Sequence, residues 1–129
     1  MKSLLTAALL LAIADVGAAT YTVTRFDDPA PGACLVNDCS LREAVNAANA
    51  SAGADGIVLG EGTYELSRTD STPDEFGASA NALLVSESVE ITGVSRGKTR
   101  VRWSTLAGRA TDRIFAVIRH DQTVRLGLA

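Results

Sequence analysis

After residue 55 the chain alternates short apolar runs with glycines and polar residues. Most of these runs are rich in β-branched residues, and they are too short for helices, so the pattern favours strands. The runs comprise residues 56–59, 64–66, 83–85, 89–91, 101–103, 114–118 and 124–128. The sequence therefore predicts a mainly β fold.

The predicted strands recur with a loose period. Ile57 precedes Val89 by 32 residues and Val89 precedes Val124 by 35, while Tyr64 precedes Val101 by 37. Leu83 precedes Ile114 by 31 residues. Unequal loops between coils of three short strands each would produce this spacing. Seven short strands could also form a sandwich, so the period leaves both architectures open.

One helix is predicted before these strands. Ser40 followed by Glu43 is a capping box, which places the helix start at Leu41. An apolar stripe then recurs at helical spacing, and a few polar residues fall largely on the wetter side. The stripe consists of Leu41, Ala44, Val45 and Ala48, and the polar residues are Arg42, Asn46 and Asn49. Gly53 is expected to end the helix through a left-handed residue past its last turn.

The N-terminus has the layout of a secretory signal peptide. Lys2 precedes an apolar run over residues 4–14, and small residues follow at Gly17, Ala18 and Ala19. The apolar run is about half of the roughly 20 residues that a membrane span needs. We therefore expect residues 1–19 to be removed, the mature chain to begin near Ala19 or Thr20 without a transmembrane segment, and the protein to be exported.

Cys34 and Cys39 are the two cysteines of the chain. In an exported protein they favour one structural disulfide. A redox pair would prefer two intervening residues, and a metal site would need further cysteine or nearby histidine ligands. The short loop between them would contribute roughly 2 kcal/mol and would pin the turn to the helix start.

Residues 39–44, Cys-Ser-Leu-Arg-Glu-Ala, resemble the signature of the CSLREA domain family. This family occurs near the N-terminus of bacterial surface and secreted proteins built as right-handed parallel β-helices. The likeness continues through residues 54–59, 62–66, 88–93 and 123–128, although these strand motifs are generic to pectate-lyase-like β-helices. The resemblance implies that a strand near Tyr21 and Val23, with the helix, closes the first coil, whose apolar cross-section and strand edges need a cover.

Charge is unevenly distributed around a net charge of −3. Residues 20–93 hold three arginines against twelve acids, whereas residues 94–129 hold eight basic residues against two acids. A basic tail can indicate nucleic acid. Arg100, Arg102 and Arg125 alternate with apolar residues, however, as outward-facing strand residues do. We therefore expect no nucleic-acid partner.

Candidate catalytic chemistry is sparse. His120 is the single histidine and lies in a polar turn without a nucleophile elbow before it. The adjacent acids Asp27-Asp28 and Asp74-Glu75 read as soluble turn residues, and the polar stretch 67–81 reads as an exposed loop. Arg100 and Arg102 would be the nominal bases of a calcium-dependent polysaccharide lyase, but no motif places acids near them. We expect no catalytic residues, no metal site and no cofactor.

Together these features predict a right-handed parallel β-helix of about two coils plus the start of a third, with an N-terminal strand and a short capping helix. The expected parts are a signal peptide (1–19), an N-terminal cap (20–55) and coils (56–129). The predicted role is that of an exported, non-catalytic structural or recognition module, secreted or on a bacterial surface that includes the outer membrane. Its partner would be a surface glycan, a protein or further coils. The alternative is a fragment of a β-helix polysaccharide lyase or glycoside hydrolase. A third coil that opens without closing leads us to expect a truncated frame or a piece of a longer protein.

Overall fold

The computed structural model describes residues 17–68, 82–105, 113–118 and 124–128. Within these residues the fold is mainly β with one helix. In chain order the elements are β1 (Thr20–Val23), α1 (Leu41–Ala50), β2 (Asp55–Leu59), β3 (Gly62–Leu66), β4 (Leu83–Val85), β5 (Val89–Gly93), β6 (Thr99–Trp103), β7 (Phe115–Val117) and β8 (Val124–Leu128). The mainly β prediction is confirmed, and each apolar run named above corresponds to a strand.

The described strands form three short parallel sheets. The first has the order β1-β2-β5-β8, the second pairs β3 with β6, and the third pairs β4 with β7. From β2 to β5, each strand therefore pairs with the strand three positions later. Parallel pairing of this kind needs a long crossover, which here consists of the intervening strands and their connections.

The pairing register agrees with the sequence period at two places and corrects it at two others. Tyr64 lies opposite Val101, and Val89 lies opposite Val124, as the period predicts. The alignment of Ile57 with Val89 is wrong by two residues, because Ile57 lies opposite Ile91. This register stacks two buried side chains on each other.

The alignment of Leu83 with Ile114 is wrong by one residue, because Leu83 pairs with Phe115. A one-residue shift exchanges the two faces of a strand. Ile114 lies just before the strand, and its carbonyl accepts a hydrogen bond from the Leu83 N–H at 2.7 Å. It also packs partly buried against the core. Ile114 is therefore apolar because it packs against the core, although it is not one of the paired residues of β7. An apolar pattern in the sequence does not distinguish these two positions.

The core lies between the three sheets and the helix. Alternate strand residues are buried, among them Ile57, Tyr64, Leu83 and Ile91. The predicted helix stripe belongs to the same cluster, since Leu41, Ala44, Val45 and Ala48 are all buried. A short helix with a narrow apolar face depends on such packing, because it is marginal alone in water.

The helix ends differently from the prediction. Ser51 is the C-cap in an extended conformation, and its N–H donates to the Ala48 carbonyl at 3.2 Å. Gly53 does have a positive φ of 118°. It lies two residues beyond the cap, however, so it redirects the chain toward β2 after the helix has already ended.

Candidate functional site

The candidate site is the region where residues 20–50 contact strands β2, β3 and β4. It begins with the helix cap. The Glu43 N–H donates to Ser40 Oγ at 3.3 Å, and the Ser40 N–H donates to Glu43 Oε2 at 2.7 Å. Both residues are buried. The other carboxylate oxygen of Glu43 accepts from the Gly32 N–H at 2.8 Å, so this side chain ties the preceding turn to the helix.

Burial and hydrogen bonding change the pKa of the Glu43 carboxyl group in opposite directions. Burial raises the pKa, because it disfavours the charged form. The backbone N–H groups of Ser40 and Gly32 and the Ser40 hydroxyl lower it. The net effect is a pKa below the ordinary value of 4.5. Glu43 therefore holds the turn and the helix start together as a carboxylate.

Cys34 and Cys39 form a disulfide in the same turn, with their sulfurs 1.99 Å apart. Cys39 is fully buried. Its carbonyl accepts from the N–H groups of Thr24 and Arg25 at 2.9 and 3.0 Å, and its own N–H donates to Thr24 Oγ1 at 3.0 Å. These bonds fasten the disulfide turn to the end of β1.

The sequence pattern predicts Arg42 on the solvent-exposed side of the helix. This prediction is wrong, because Arg42 is buried with a relative exposure of 9%. It forms an ion pair with Asp28, which is also buried and is not a simple soluble turn residue. Asp28 Oδ2 further accepts from the N–H groups of Ser67 and Arg68 at 3.1 and 3.2 Å. One signal could have revealed the pair: a cation in the first helical turn is unfavourable for the helix dipole and calls for an acidic partner.

Asn49 occupies the outer edge of β4. Its Nδ2 donates to the Leu84 carbonyl at 2.7 Å, and its Oδ1 accepts from the Ser86 N–H at 2.9 Å. A neighbouring parallel strand would bond to the same two groups on either side of Val85. The Asn49 amide thus takes the place of a strand peptide. Sequence reasoning missed this role, because a half-exposed asparagine on a helix carries no signal of it.

The corresponding edges of β2 and β3 are also covered. β1 pairs with β2 in parallel from Thr20 to Val23. The Phe26 carbonyl accepts from the Glu65 N–H of β3 at 2.8 Å. Residues 20–50 therefore supply hydrogen-bond partners to the outer edges of β2, β3 and β4. An uncovered edge would present unpaired backbone groups to other chains.

Among the described residues, the candidate bases Arg100 and Arg102 both lie on β6. Arg102 forms an ion pair with Glu65 on the adjacent strand, and Arg100 is exposed opposite Thr63. His120, Asp74 and Glu75 lie outside the described residues, as does most of the predicted loop 67–81. Within the described part of the chain, no group of three or more His, Cys, Asp or Glu residues could hold a metal ion.

Comparison of the chain with protein-family models, with curated proteins and with solved structures finds no match. The resemblance to the CSLREA family therefore stays a prediction from residues 39–44. Among the helices of the described residues, none is long and apolar enough to cross a membrane.

Proposed function

We propose that this chain is an exported, non-catalytic N-terminal module of a right-handed parallel β-helix, with a structural role in a secreted or cell-surface recognition protein. The observation that carries this proposal is the coverage of three strand edges by residues 20–50. A stack of coils needs a terminal cap that pairs or covers its first edges. Here one strand, one carbonyl and one side-chain amide do so.

The strand pairing supports the β-helix part of the proposal. β2, β3 and β4 lie in three different sheets, and β5, β6 and β7 repeat that order one layer further on. β8 then returns to the first sheet, beside β5. This repeated order of three sheets, with parallel pairing at each return, supports the proposal of a solenoid.

The partner that this module fits best is a further coil of the same kind. Leu126 lies in register with Ile91. Ile91 is 3% exposed, whereas Leu126 is 67% exposed. A stacked layer would cover Leu126 as β8 covers Ile91. A surface glycan or another protein is then the partner of the assembled protein.

Stacking can be tested by sedimentation of the purified chain. The exposed Leu126 face should cause self-association, and Leu126→Lys should reduce it, because a charge would be placed in an apolar contact. Val58→Lys is the matched control, since Val58 is an exposed apolar residue on the central strand β2. Equal effects of the two substitutions would contradict stacking through β8.

The proposal that the module is not a catalyst can be tested with polysaccharide substrates. The exported protein should release no unsaturated or reducing sugar ends from polyuronates or neutral glycans, with or without calcium. Product release by the unaltered protein that disappears in Arg100→Ala, but persists in the exposed control Arg96→Ala, would support the lyase alternative instead. Glycan binding without product release would support a recognition role.

A further inference from the structure

Asp55 is a buried carboxylate whose hydrogen bonding is incomplete. It begins β2 and is 1% exposed. Its Oδ1 accepts from the Ala19 N–H at 2.7 Å and from the Ser51 hydroxyl at 3.5 Å. Its Oδ2 is also buried and accepts no hydrogen bond from the described residues. No lysine or arginine of the described residues forms an ion pair with it.

A buried carboxylate in this state is costly, because burial penalises the charge and each unmade hydrogen bond adds to that cost. The Ala19 amide carries a single hydrogen, which serves Oδ1, so it cannot also serve Oδ2. An α-ammonium at the same nitrogen would have three hydrogens and a positive charge. It could therefore supply both missing features, the second donor and the counter-charge.

We infer that Asp55 is the binding site for the α-ammonium group of a mature chain that begins at Ala19. The inference rests on export, as proposed above, and selects one of the two starts that the sequence allows. A signal peptidase would hydrolyse the bond between Ala18 and Ala19 with one water molecule. Ala18 then leaves as the carboxylate end of the signal peptide, and the Ala19 nitrogen takes up protons to become the ammonium.

The surroundings of Ala19 suit such a terminus. The Gly56 N–H donates to the Ala19 carbonyl at 2.8 Å, which extends the ladder between β1 and β2 and fixes the position of this residue. Ala18 is exposed, and Ala18, Ala19 and Asp55 line an open cavity of about 530 Å³. The charged side chains of Glu90 and Arg125 also line it. The terminus would thus bind at the rim of the first strand pair.

Three purified chains test the inference, beginning at Ala18, Ala19 or Thr20, each with and without Asp55→Asn. Urea unfolding should give the Ala19 chain a folded-to-unfolded ratio roughly tenfold above that of the Ala18 or Thr20 chain, as for a hydrogen bond to a charged group. Asp55→Asn should remove this advantage. Equal stability of the Ala18 and Ala19 chains, or an advantage that survives Asp55→Asn, would overturn the inference.

A labelling experiment needs no Asp55 variant, in case Asp55→Asn does not fold. An acetylating reagent should modify the α-amine of the Ala19 chain about tenfold more slowly than that of the Ala18 chain, because the ion pair stabilises the unreactive ammonium form. Lys98, whose ammonium is 2.6 Å from Glu61 at the surface, is the internal reference. Equal rates for the two α-amines would overturn the inference.

Intact-mass measurement of exported protein separates the two proposals. A chain that begins at Ala19 supports both. A chain that begins at Thr20 leaves export standing and overturns the role of Asp55. A retained Met1 in the exported protein overturns removal of the signal peptide, and with it the role of Asp55.

Discussion

The guanidinium of Arg42 donates two parallel hydrogen bonds to the carboxylate of Asp28, with Nε 2.7 Å from Oδ1 and Nη2 2.9 Å from Oδ2. Asp28 lies in the turn after β1, and Arg42 lies in the first turn of α1. Arg42 Nη1 also lies 3.5 Å from the Ala82 carbonyl, just before β4. The pair therefore joins the N-terminal turn, the helix and the approach to β4.

Breaking this buried pair should be strongly destabilising. Asp28→Asn removes the carboxylate that accepts two hydrogen bonds from the buried Arg42 guanidinium, which should lower the free energy of unfolding by roughly 3–5 kcal/mol. Asp27→Ala is the neighbouring control. It removes an exposed partner of Arg25 and should cost less than about 1 kcal/mol. Urea unfolding midpoints measure both, and similar losses would mean that the Asp28 pair is effectively solvated.

Loss of the helix cap should have a smaller effect. Ser40→Ala removes the acceptor for the Glu43 N–H and should lower the free energy of unfolding by about 1 kcal/mol. Ser40→Thr retains the hydroxyl and serves as the control. The thermal unfolding midpoint should fall for alanine more than for threonine. An unchanged midpoint for Ser40→Ala would contradict a stabilising role for the capping box.

The lowered pKa of Glu43 predicts a pH dependence of stability. Because the folded-state pKa lies below the ordinary value of 4.5, the contribution is present above that pH and is lost as pH falls through the folded-state pKa. Glu43→Gln should therefore flatten the decline in stability on acidification. Asp27→Asn is a control, since the pKa of Asp27 is also lowered, by hydrogen bonds from Arg25.

Salt should affect the contributions of Asp27 and Glu43 to stability differently. The Arg25 pair is exposed, so 0.5 M salt, which shortens the screening length to only about 4–5 Å, should weaken the contribution of Asp27. Glu43 is buried and bonded to backbone N–H groups, so its contribution should persist. The prediction would be refuted if Glu43→Gln and the unaltered protein had the same acid-unfolding profile both at low salt and at 0.5 M salt.

Asn49 should protect the edge of β4. Asn49→Ala leaves the Leu84 carbonyl and the Ser86 N–H without their partner, at a cost of about 1–3 kcal/mol if water does not replace it. The freed edge should also increase self-association in sedimentation. Asn46→Ala, at an exposed position of the same helix, is the matched control. If both alanine variants behave alike, Asn49 does not act as a substitute strand.

Gly62 should not tolerate a side chain. Its φ is +144°, and an added Cβ would overlap the ring of Phe26, which packs at a tilt against Tyr64 with ring centroids 5.0 Å apart. Gly62→Ala should cost roughly 1–3 kcal/mol from the backbone conformation alone, plus the displacement of Phe26. Gly97→Ala is the control, because Gly97 has a φ of +91° but open space around its Cβ position. Chemical unfolding should show the larger loss for Gly62→Ala.

Features that depend on neighbours in the chain could be read from the sequence. The capping box joins residues three apart, and the disulfide joins Cys34 to Cys39, so their geometry follows from local chain connectivity. Strand positions could also be predicted, because alternate burial leaves a local mark in short apolar runs. The loose period was correct about which strands correspond, since β2, β5 and β8 pair in succession.

The exact register and the buried polar contacts could not be read in the same way. Two strands more than thirty residues apart align according to the length and path of the chain between them, so Ile57 and Leu83 were assigned wrong partners. Arg42 and Asn49 have side chains that sequence patterns place in water. Only the folded chain brings Asp28 and β4 to them.

Asp55 illustrates the difference between what the sequence predicts and what tertiary contacts decide. Its position at the start of an apolar run is visible in the sequence, but an acid at a strand end is ordinarily solvated. In the folded chain Asp55 lies opposite Val89 of β5, and its buried carboxylate accepts hydrogen bonds from Ala19 and Ser51. Local sequence thus determined the helix start, the disulfide turn and the strand positions, because these depend on contacts between near neighbours. Tertiary structure decided which charges are buried and what they face, because burial depends on segments that the sequence keeps far apart.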